Sequence, residues 1–146
     1  MAQLLIVAHA PLASSLLEVA RHAFPDCAAT LRALDVSQQD GPDDVERKVR
    51  PLLGSGETLI LTDVFGATPC NGALRAAESP RARVVAGVNV PMLWRALCYA
   101  GEPLDALVGR AVGGGSQGVM QVAAVRPQNQ ANQPHCDDQV QHQDQQ

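Results

Sequence analysis

The sequence predicts a single α/β domain built on a doubly wound, mostly parallel sheet with helices on both faces. Short apolar runs alternate with segments of helical spacing along most of the chain, and this alternation is typical of strand–helix–strand units. The length of 146 residues suits one domain. Hydrophobic residues make up 46% of the chain and charged residues 18%, so a packed core is expected.

The predicted strands are short apolar runs. The first, Gln3–Ala8, is continuously apolar after its opening glutamine, which is typical of a strand buried on both faces. A short last strand is expected at the C-terminal edge of the sheet. The five predicted strands are Gln3–Ala8, Thr30–Val36, Glu57–Thr62, Arg83–Val88 and Val119–Val125.

The predicted helices follow these strands and begin where proline or an N-cap residue suits a first turn. Thr68 is the expected N-cap of the third helix, with Pro69 at its first position. Pro51 predicts a kink or an early end in the second helix. The predicted helices are Pro11–Phe24, a helix from Gly41 to about Leu53, Thr68 to about Ser79, Met92–Ala100, and Leu104–Val112 ending at Gly113–Gly115.

The last twenty residues differ from the rest of the chain in composition. Residues 127–146 contain eight glutamines and two prolines but few apolar side chains. Such a segment buries too little surface to offset its ordering entropy. The sequence therefore predicts a folded domain over 1–126 and a disordered Gln-rich tail over 127–146.

Composition excludes several classes of function. Residues 1–126 carry 11 basic and 12 acidic side chains, so no basic surface for nucleic acid is expected. No apolar run reaches the ~18–20 residues that cross a bilayer, and no signal peptide is recognisable, which predicts a cytoplasmic protein. The four cysteines have no CxxC spacing, so neither disulfides nor a metal is expected, and no cofactor motif is found.

Polar side chains follow four of the predicted strands. They are His9, Asp35, Asp63 and Asn89. Ligands of open parallel sheets bind beyond the carboxyl ends of the strands. A carboxylate beside His9 would hold one ring N–H and leave the other nitrogen free as a nucleophile, so Asp63 is the candidate orienting residue.

Three of these residues also have a simpler structural explanation. A histidine at a strand end is often only structural, and Asp63 alone could be an N-cap. Asp35 could cap the loop that follows it or line the edge of the site, and the cap is favoured. The combination of His9 and Asp63 with the helix start Gly66–Pro69 favours chemistry. Backbone N–H groups near Ala10 and Thr68 could then receive phosphate oxygens without a metal.

Three blocks of sequence resemble the mannose-type enzyme IIA family of the bacterial phosphoenolpyruvate-dependent sugar phosphotransferase system. The first is Leu5–His9, followed by an alanine- and leucine-rich helix. The second, Thr62–Asn71, is similar to the family's Asp-Leu-Phe-Gly-Gly-Ser-Pro-x-Asn. The third, Ala86–Leu93, is close to Gly-Val-Asn-Leu-Pro-Met-Leu. The order and spacing agree over about residues 1–125.

The resemblance implies that His9 accepts a phosphoryl group from the phosphocarrier protein HPr and passes it to an enzyme IIB. It implies that Asp63 orients the ring, and that Asn89 lies at the phosphate or partner site. It also implies a homodimer in which the last strand pairs with the other subunit, and a link to the membrane only through a permease. The family's Thr-His-Gly is Ala8–Ala10 here, Ala67 replaces a glycine and Cys70 a phenylalanine, which leaves the partner and sugar class open.

Other functions remain open at this point. The phosphotransfer subunit of a dihydroxyacetone kinase shares the fold and a strand-end histidine, although the Ala86–Leu93 block favours the sugar system. A flavodoxin-like regulatory module without chemistry is a second alternative. Within the sugar system, a freestanding IIA could serve a permease or act as a regulatory phosphate sensor without transport. A histidine phosphatase is disfavoured because Ala8 stands where it would need an arginine.

Overall fold

The structure is a computed structural model that describes residues 1–123. Strands and helices alternate from the N-terminus, and the last two elements of the described residues are successive helices. The elements are β1 (Gln3–His9), α1 (Leu12–Ala23), β2 (Arg32–Val36), α2 (Pro42–Leu53), β3 (Thr58–Thr62), α3 (Thr68–Ala76), β4 (Ala82–Ala86), α4 (Val90–Cys98) and α5 (Leu104–Gln117).

The four strands form one parallel sheet in the order β2-β1-β3-β4, which confirms the predicted fold class. From β1 the chain crosses to β2 on one side, and from β2 it crosses back to β3 on the other side. The boundary between β1 and β3 is therefore the point where the strand order reverses. Ligand sites of doubly wound sheets lie at this point, beyond the carboxyl ends of the two strands.

Helices cover both faces of the sheet. The central strands alternate their side chains between the two faces: Ile6 and Leu61 pack on the side of α1, α4 and α5, whereas Val7 and Ile60 pack on the side of α2 and α3. All four are fully buried. The two halves of the core therefore fix β1 and β3 from both sides, and their carboxyl ends are held in a defined relative position.

The predicted C-terminal strand is not formed by residues 119–123, which have no regular secondary structure. Val119, Met120 and Val122 are largely exposed instead. A strand needs a neighbour for its backbone N–H and C=O groups, and this segment pairs with none of the described residues. Ala124, Val125 and the predicted tail lie outside the described residues.

The glycine run Gly113–Gly115 lies inside α5, although the sequence predicted that the helix would end there. A Cβ on Gly114 would come within 2.6 Å of the Arg95 Cβ, and one on Gly115 within 2.8 Å of the Met92 Cε. The two glycines therefore let α5 approach α4 closely. This packing outweighs the low intrinsic helix propensity of glycine, about 1 kcal/mol per residue relative to alanine.

Other predicted elements differ from the observed ones mainly at their ends. Helix α3 has Ala67 rather than Thr68 as its N-cap, and it ends at Ala76 rather than near Ser79. Helix α2 contains Pro51 and continues to Leu53, so the early end predicted at the proline is not found. Within residues 1–123, no helix is both long and apolar enough to cross a membrane.

Candidate functional site

His9 and Asp63 meet at the reversal point of the sheet. His9 is the last residue of β1, and Asp63 directly follows β3. Because β1 and β3 are hydrogen-bonded neighbours, their carboxyl ends bring the two side chains together. The Nδ1 atom of His9 lies 2.6 Å from Oδ2 of Asp63. The imidazole is half exposed, at 50%, whereas the carboxylate is only 9% exposed.

The carboxylate of Asp63 accepts three hydrogen bonds. Oδ2 accepts one from the backbone N–H of His9, at 2.9 Å, in addition to its contact with Nδ1. Oδ1 accepts one from the backbone N–H of Val64, also at 2.9 Å. The same oxygen therefore fixes both the backbone and the ring of His9, so the imidazole has little freedom to rotate.

These contacts keep Asp63 ionised. Its burial acts to raise its pKa, but the hydrogen bonds from His9 and Val64 and the charge of the imidazole outweigh burial and lower the pKa below the ordinary carboxyl value. An ionised carboxylate has no proton to donate. Nδ1 of His9 must then be the donor in this contact, so that in the neutral ring Nε2 carries the free lone pair.

A tight turn connects Asp63 to α3. The N–H of Ala67 donates to the carbonyl of Val64, and Gly66 adopts φ +90°, a conformation that favours glycine. The side-chain amide of Asn71 donates to the carbonyl of Gly66 at 3.1 Å. Phe65 at the tip of the turn is 80% exposed. The turn therefore places an exposed aromatic ring two residues from the carboxylate.

Two helices begin beside the histidine with unused backbone donors. In α1 the N–H groups of Leu12 and Ala13 have no acceptor among residues 1–123, and in α3 the same holds for Thr68 and Cys70. Helix N-termini carry a partial positive charge and bind phosphate through such N–H groups. This end of the sheet is thus suited to an anion near His9.

Two other predicted site residues, Ala10 and Asp35, make hydrogen bonds within the fold. The N–H of Ala10 donates to the carbonyl of Val36, so it extends the pairing of β1 with β2. Asp35 accepts from the N–H of Ser14 in the first turn of α1. It therefore caps that helix rather than the loop after β2, for which the cap was predicted.

Asn89 is the N-cap of α4, and both polar atoms of its side chain have partners. Its Oδ1 accepts from the N–H of Met92, and its Nδ2 donates to the carbonyl of Gly115. The amide therefore ties the start of α4 to the end of α5, next to β4.

Sequence reasoning missed the contacts of Val64 and Asn71, and it gave the unused donors of α1 only as groups near Ala10, without naming Leu12 and Ala13. Their parts in the site depend on backbone N–H groups and on the turn, which leave little trace in residue type. The motif from Gly66 to Asn71 was the one signal available for the turn. Within residues 1–123, no group of three or more His, Cys, Asp and Glu side chains is placed to hold a metal ion.

Comparisons with known proteins give the family of the chain and support its fold. Residues 3–111 match the family EIIA-man, described as the PTS system fructose IIA component. The fold is similar to the mannose/sorbose-specific IIA subunit of the phosphotransferase system from Enterococcus faecalis, with 27% identity and a TM-score of 0.79 over 87% of this chain and 98% of that one.

A second similar structure is the phosphotransferase system component EIIA from Streptococcus agalactiae. It has 24% identity and a TM-score of 0.75 over 83% of this chain and 97% of that one, and at this identity it supports the fold alone. No curated protein gives a significant match. Because the family match spans most of the chain, the chain belongs to the EIIA-man family of phosphotransferase-system IIA components.

Proposed function

We propose that His9 is the phosphorylated residue of this IIA component, and that Nε2 is the atom that carries the phosphoryl group. The observation that carries the proposal is the contact of Nδ1 with the ionised Asp63, at 2.6 Å. It leaves Nε2 as the nucleophilic nitrogen of the ring.

The donor in this proposal is the phosphohistidine of HPr. The Nε2 lone pair attacks phosphorus, the new N–P bond forms, and the N–P bond of the donor breaks with its electron pair returning to the donor imidazole. His9 becomes cationic as it bonds to phosphorus, and the carboxylate of Asp63 stabilises that charge through Nδ1–H. In the second step an enzyme IIB attacks the same phosphorus and His9 leaves as the neutral ring.

The protein contributes mainly position and charge, as is usual in phosphoryl transfer. We assign the reception of phosphate oxygens to the unused N–H groups of Leu12 and Ala13 in α1 and of Thr68 and Cys70 in α3. Ala10 and Asn89, whose groups already have partners, then act by holding β1 and α4 beside the site. No metal or cofactor is required by this scheme.

We further propose that the active form is a cytoplasmic homodimer. Strand β4 is at the edge of the sheet and pairs on only one side within residues 1–123. Val119, Met120 and Val122 follow α5 as exposed apolar residues. A strand from a second copy would pair with this edge and cover such side chains.

The central experiment is phosphorylation by phosphoenolpyruvate, enzyme I and HPr, with the label mapped by mass spectrometry. We expect one label, on His9, and ³¹P NMR should identify the isomer phosphorylated on Nε2. His9→Ala should abolish the label, while His22→Ala, at an exposed histidine of α1, should not. Label on His22, or a product phosphorylated on Nδ1, would contradict the proposal.

A further inference from the structure

We infer that Asn71 is a positioning residue for phosphoryl transfer, because it keeps a backbone donor of α3 available beside His9. The inference rests on the proposed function, since it assigns a role within the same site. Its basis is the hydrogen bond from Nδ2 of Asn71 to the carbonyl oxygen of Gly66, at 3.1 Å.

The carbonyl of Gly66 has two possible donors. If α3 began one residue earlier, the N–H of Cys70 would donate to Gly66, since helical bonds join residue i to residue i−4. In the structure the Asn71 side chain occupies this carbonyl, and the Cys70 N–H has no acceptor among residues 1–123. The Asn71 amide thus takes the place of the Cys70 N–H at the Gly66 carbonyl, and the Cys70 N–H stays unused.

The same contact also fixes the turn that leads away from Asp63. The backbone hydrogen bond that closes this turn, from the N–H of Ala67 to the carbonyl of Val64, is long, at 3.3 Å. Gly66 at φ +90° has no Cβ to restrict its backbone. Asn71, in the first turn of α3, holds the Gly66 carbonyl. It therefore restricts the peptide group that has the most conformational freedom in the turn.

Both effects act on the phosphoryl group rather than on partner docking. Backbone donors that stabilise the charge of a transferring group act most strongly in the transition state. If the Gly66 carbonyl is released, it can accept from Cys70, and the first turn of α3 loses a donor. We therefore expect removal of the Asn71 amide to lower kcat while the KM for phospho-HPr stays nearly constant.

The test measures the rate of transfer from phospho-HPr to the full chain over a range of donor concentrations. Asn71→Leu has nearly the same size, adds no charge and cannot donate. Asn71→Gln keeps an amide but moves it by one methylene. Ser79→Ala is the matched control, because the Ser79 hydroxyl also bonds a backbone group, the N–H of Arg81, and lies away from the histidine end of the sheet.

We expect Asn71→Leu to lower kcat by about tenfold or more, with the KM changed by less than about twofold. The kcat of Asn71→Gln should lie between those of Asn71→Leu and wild type. If Asn71→Leu does not fold, the kcat of Asn71→Gln tests the role of Asn71. Ser79→Ala should match wild type in both constants. Amide hydrogen exchange should show increased protection of Cys70 in Asn71→Leu.

Two negative results have separate meanings. If wild type is labelled at His9 and the variants keep the wild-type kcat, or change only the KM, Asn71 is not a positioning residue. If wild type accepts no phosphoryl group at all, the proposed function itself fails.

Discussion

The backbone N–H of Gly87 donates a hydrogen bond to the carbonyl oxygen of Asp63, at 2.8 Å. This bond lies one residue beyond the last paired position of β3 and β4, Thr62 with Ala86. Asp63 is therefore held through its main chain by the strand on one side and through its side chain by His9 on the other. The position of the carboxylate depends on the path of the chain after β4.

Gly87 makes this bond at φ +89°, where a side chain is strained. We predict that Gly87→Ala destabilises the fold by about 1–2 kcal/mol and also slows phosphoryl transfer, because relief of the strain moves the N–H that holds Asp63. The measurements are the free energy of unfolding in urea and the rate of labelling by phospho-HPr.

Gly113→Ala is the matched control for Gly87→Ala. Gly113 lies in α5 with open space around its Cβ direction, so alanine there should stabilise the helix and leave the transfer rate unchanged. Equal transfer rates in wild type and Gly87→Ala would show that the bond to Asp63 does not position the carboxylate.

The lowered pKa of Asp63 predicts a specific pH dependence of stability. A carboxyl whose pKa is lower in the folded than in the unfolded protein stabilises the fold above the unfolded pKa of about 4, and this contribution is lost as the pH falls through the lower folded pKa. We predict that Asp63→Asn is about 1 kcal/mol less stable than wild type at pH 6, and that the difference shrinks below pH 4. Thermal unfolding of both proteins from pH 6 to pH 2.5 measures it.

The same substitution should slow phosphoryl transfer by roughly 10²-fold, since an amide can hold the wrong tautomer of His9 and cannot stabilise the cationic ring. A stability difference that does not change with pH would mean that Asp63 is not a major acid-titrating group of the fold. An unchanged transfer rate would mean that Asp63 only caps the turn and does not contribute to transfer.

Phe65 provides a prediction about the partner. It is one of four aromatic residues in the chain, yet it is largely exposed, together with its neighbour Val64. Aromatic side chains, phenylalanine among them, are enriched at protein interfaces relative to the rest of the surface. We predict that Phe65→Ser raises the KM for phospho-HPr by about tenfold and leaves kcat nearly unchanged. Initial rates over a range of donor concentrations test this.

The control for Phe65→Ser is Val19→Ser, which removes an exposed apolar side chain from α1 away from the carboxyl ends of the strands. It should leave both constants unchanged. If Phe65→Ser lowers kcat instead of raising the KM, the ring supports the geometry of the turn rather than the docking of the donor.

The fold class and the pairing of His9 with Asp63 could be predicted because both depend on strong local signals. A strand such as β1 must be continuously apolar to be buried on both faces, and the carboxyl ends of parallel strands lie at the same end of the sheet, where ligands bind. His9 and Asp63 each follow such a run directly. The sequence alone therefore placed both residues at one edge of the sheet.

The features that could not be predicted depend on contacts between distant segments. Gly114 and Gly115 predicted the end of a helix. The helix continues through them because they let α5 approach α4 closely. The use of the Ala10 N–H depends on the register that places His9 opposite Val36. No local pattern in the sequence records either relationship.

The last prediction concerns the two ends of the C-terminal region. The segment after α5 begins with Val119, Met120 and Val122, which are exposed, and it passes into a polar segment with few apolar side chains from residue 127. We propose that the first part contributes a strand to the dimer and that the second contributes nothing to it.

Truncation after Arg126 should therefore leave the sedimentation coefficient, the Tm and the labelling rate near those of the full chain. Truncation after Gly118 should give monomers or an unfolded chain, because it removes the strand and leaves the edge of β4 unpaired. Monomers after the first truncation would mean that residues 127–146 take part in assembly, and a stable dimer after the second would mean that the subunits associate through another surface.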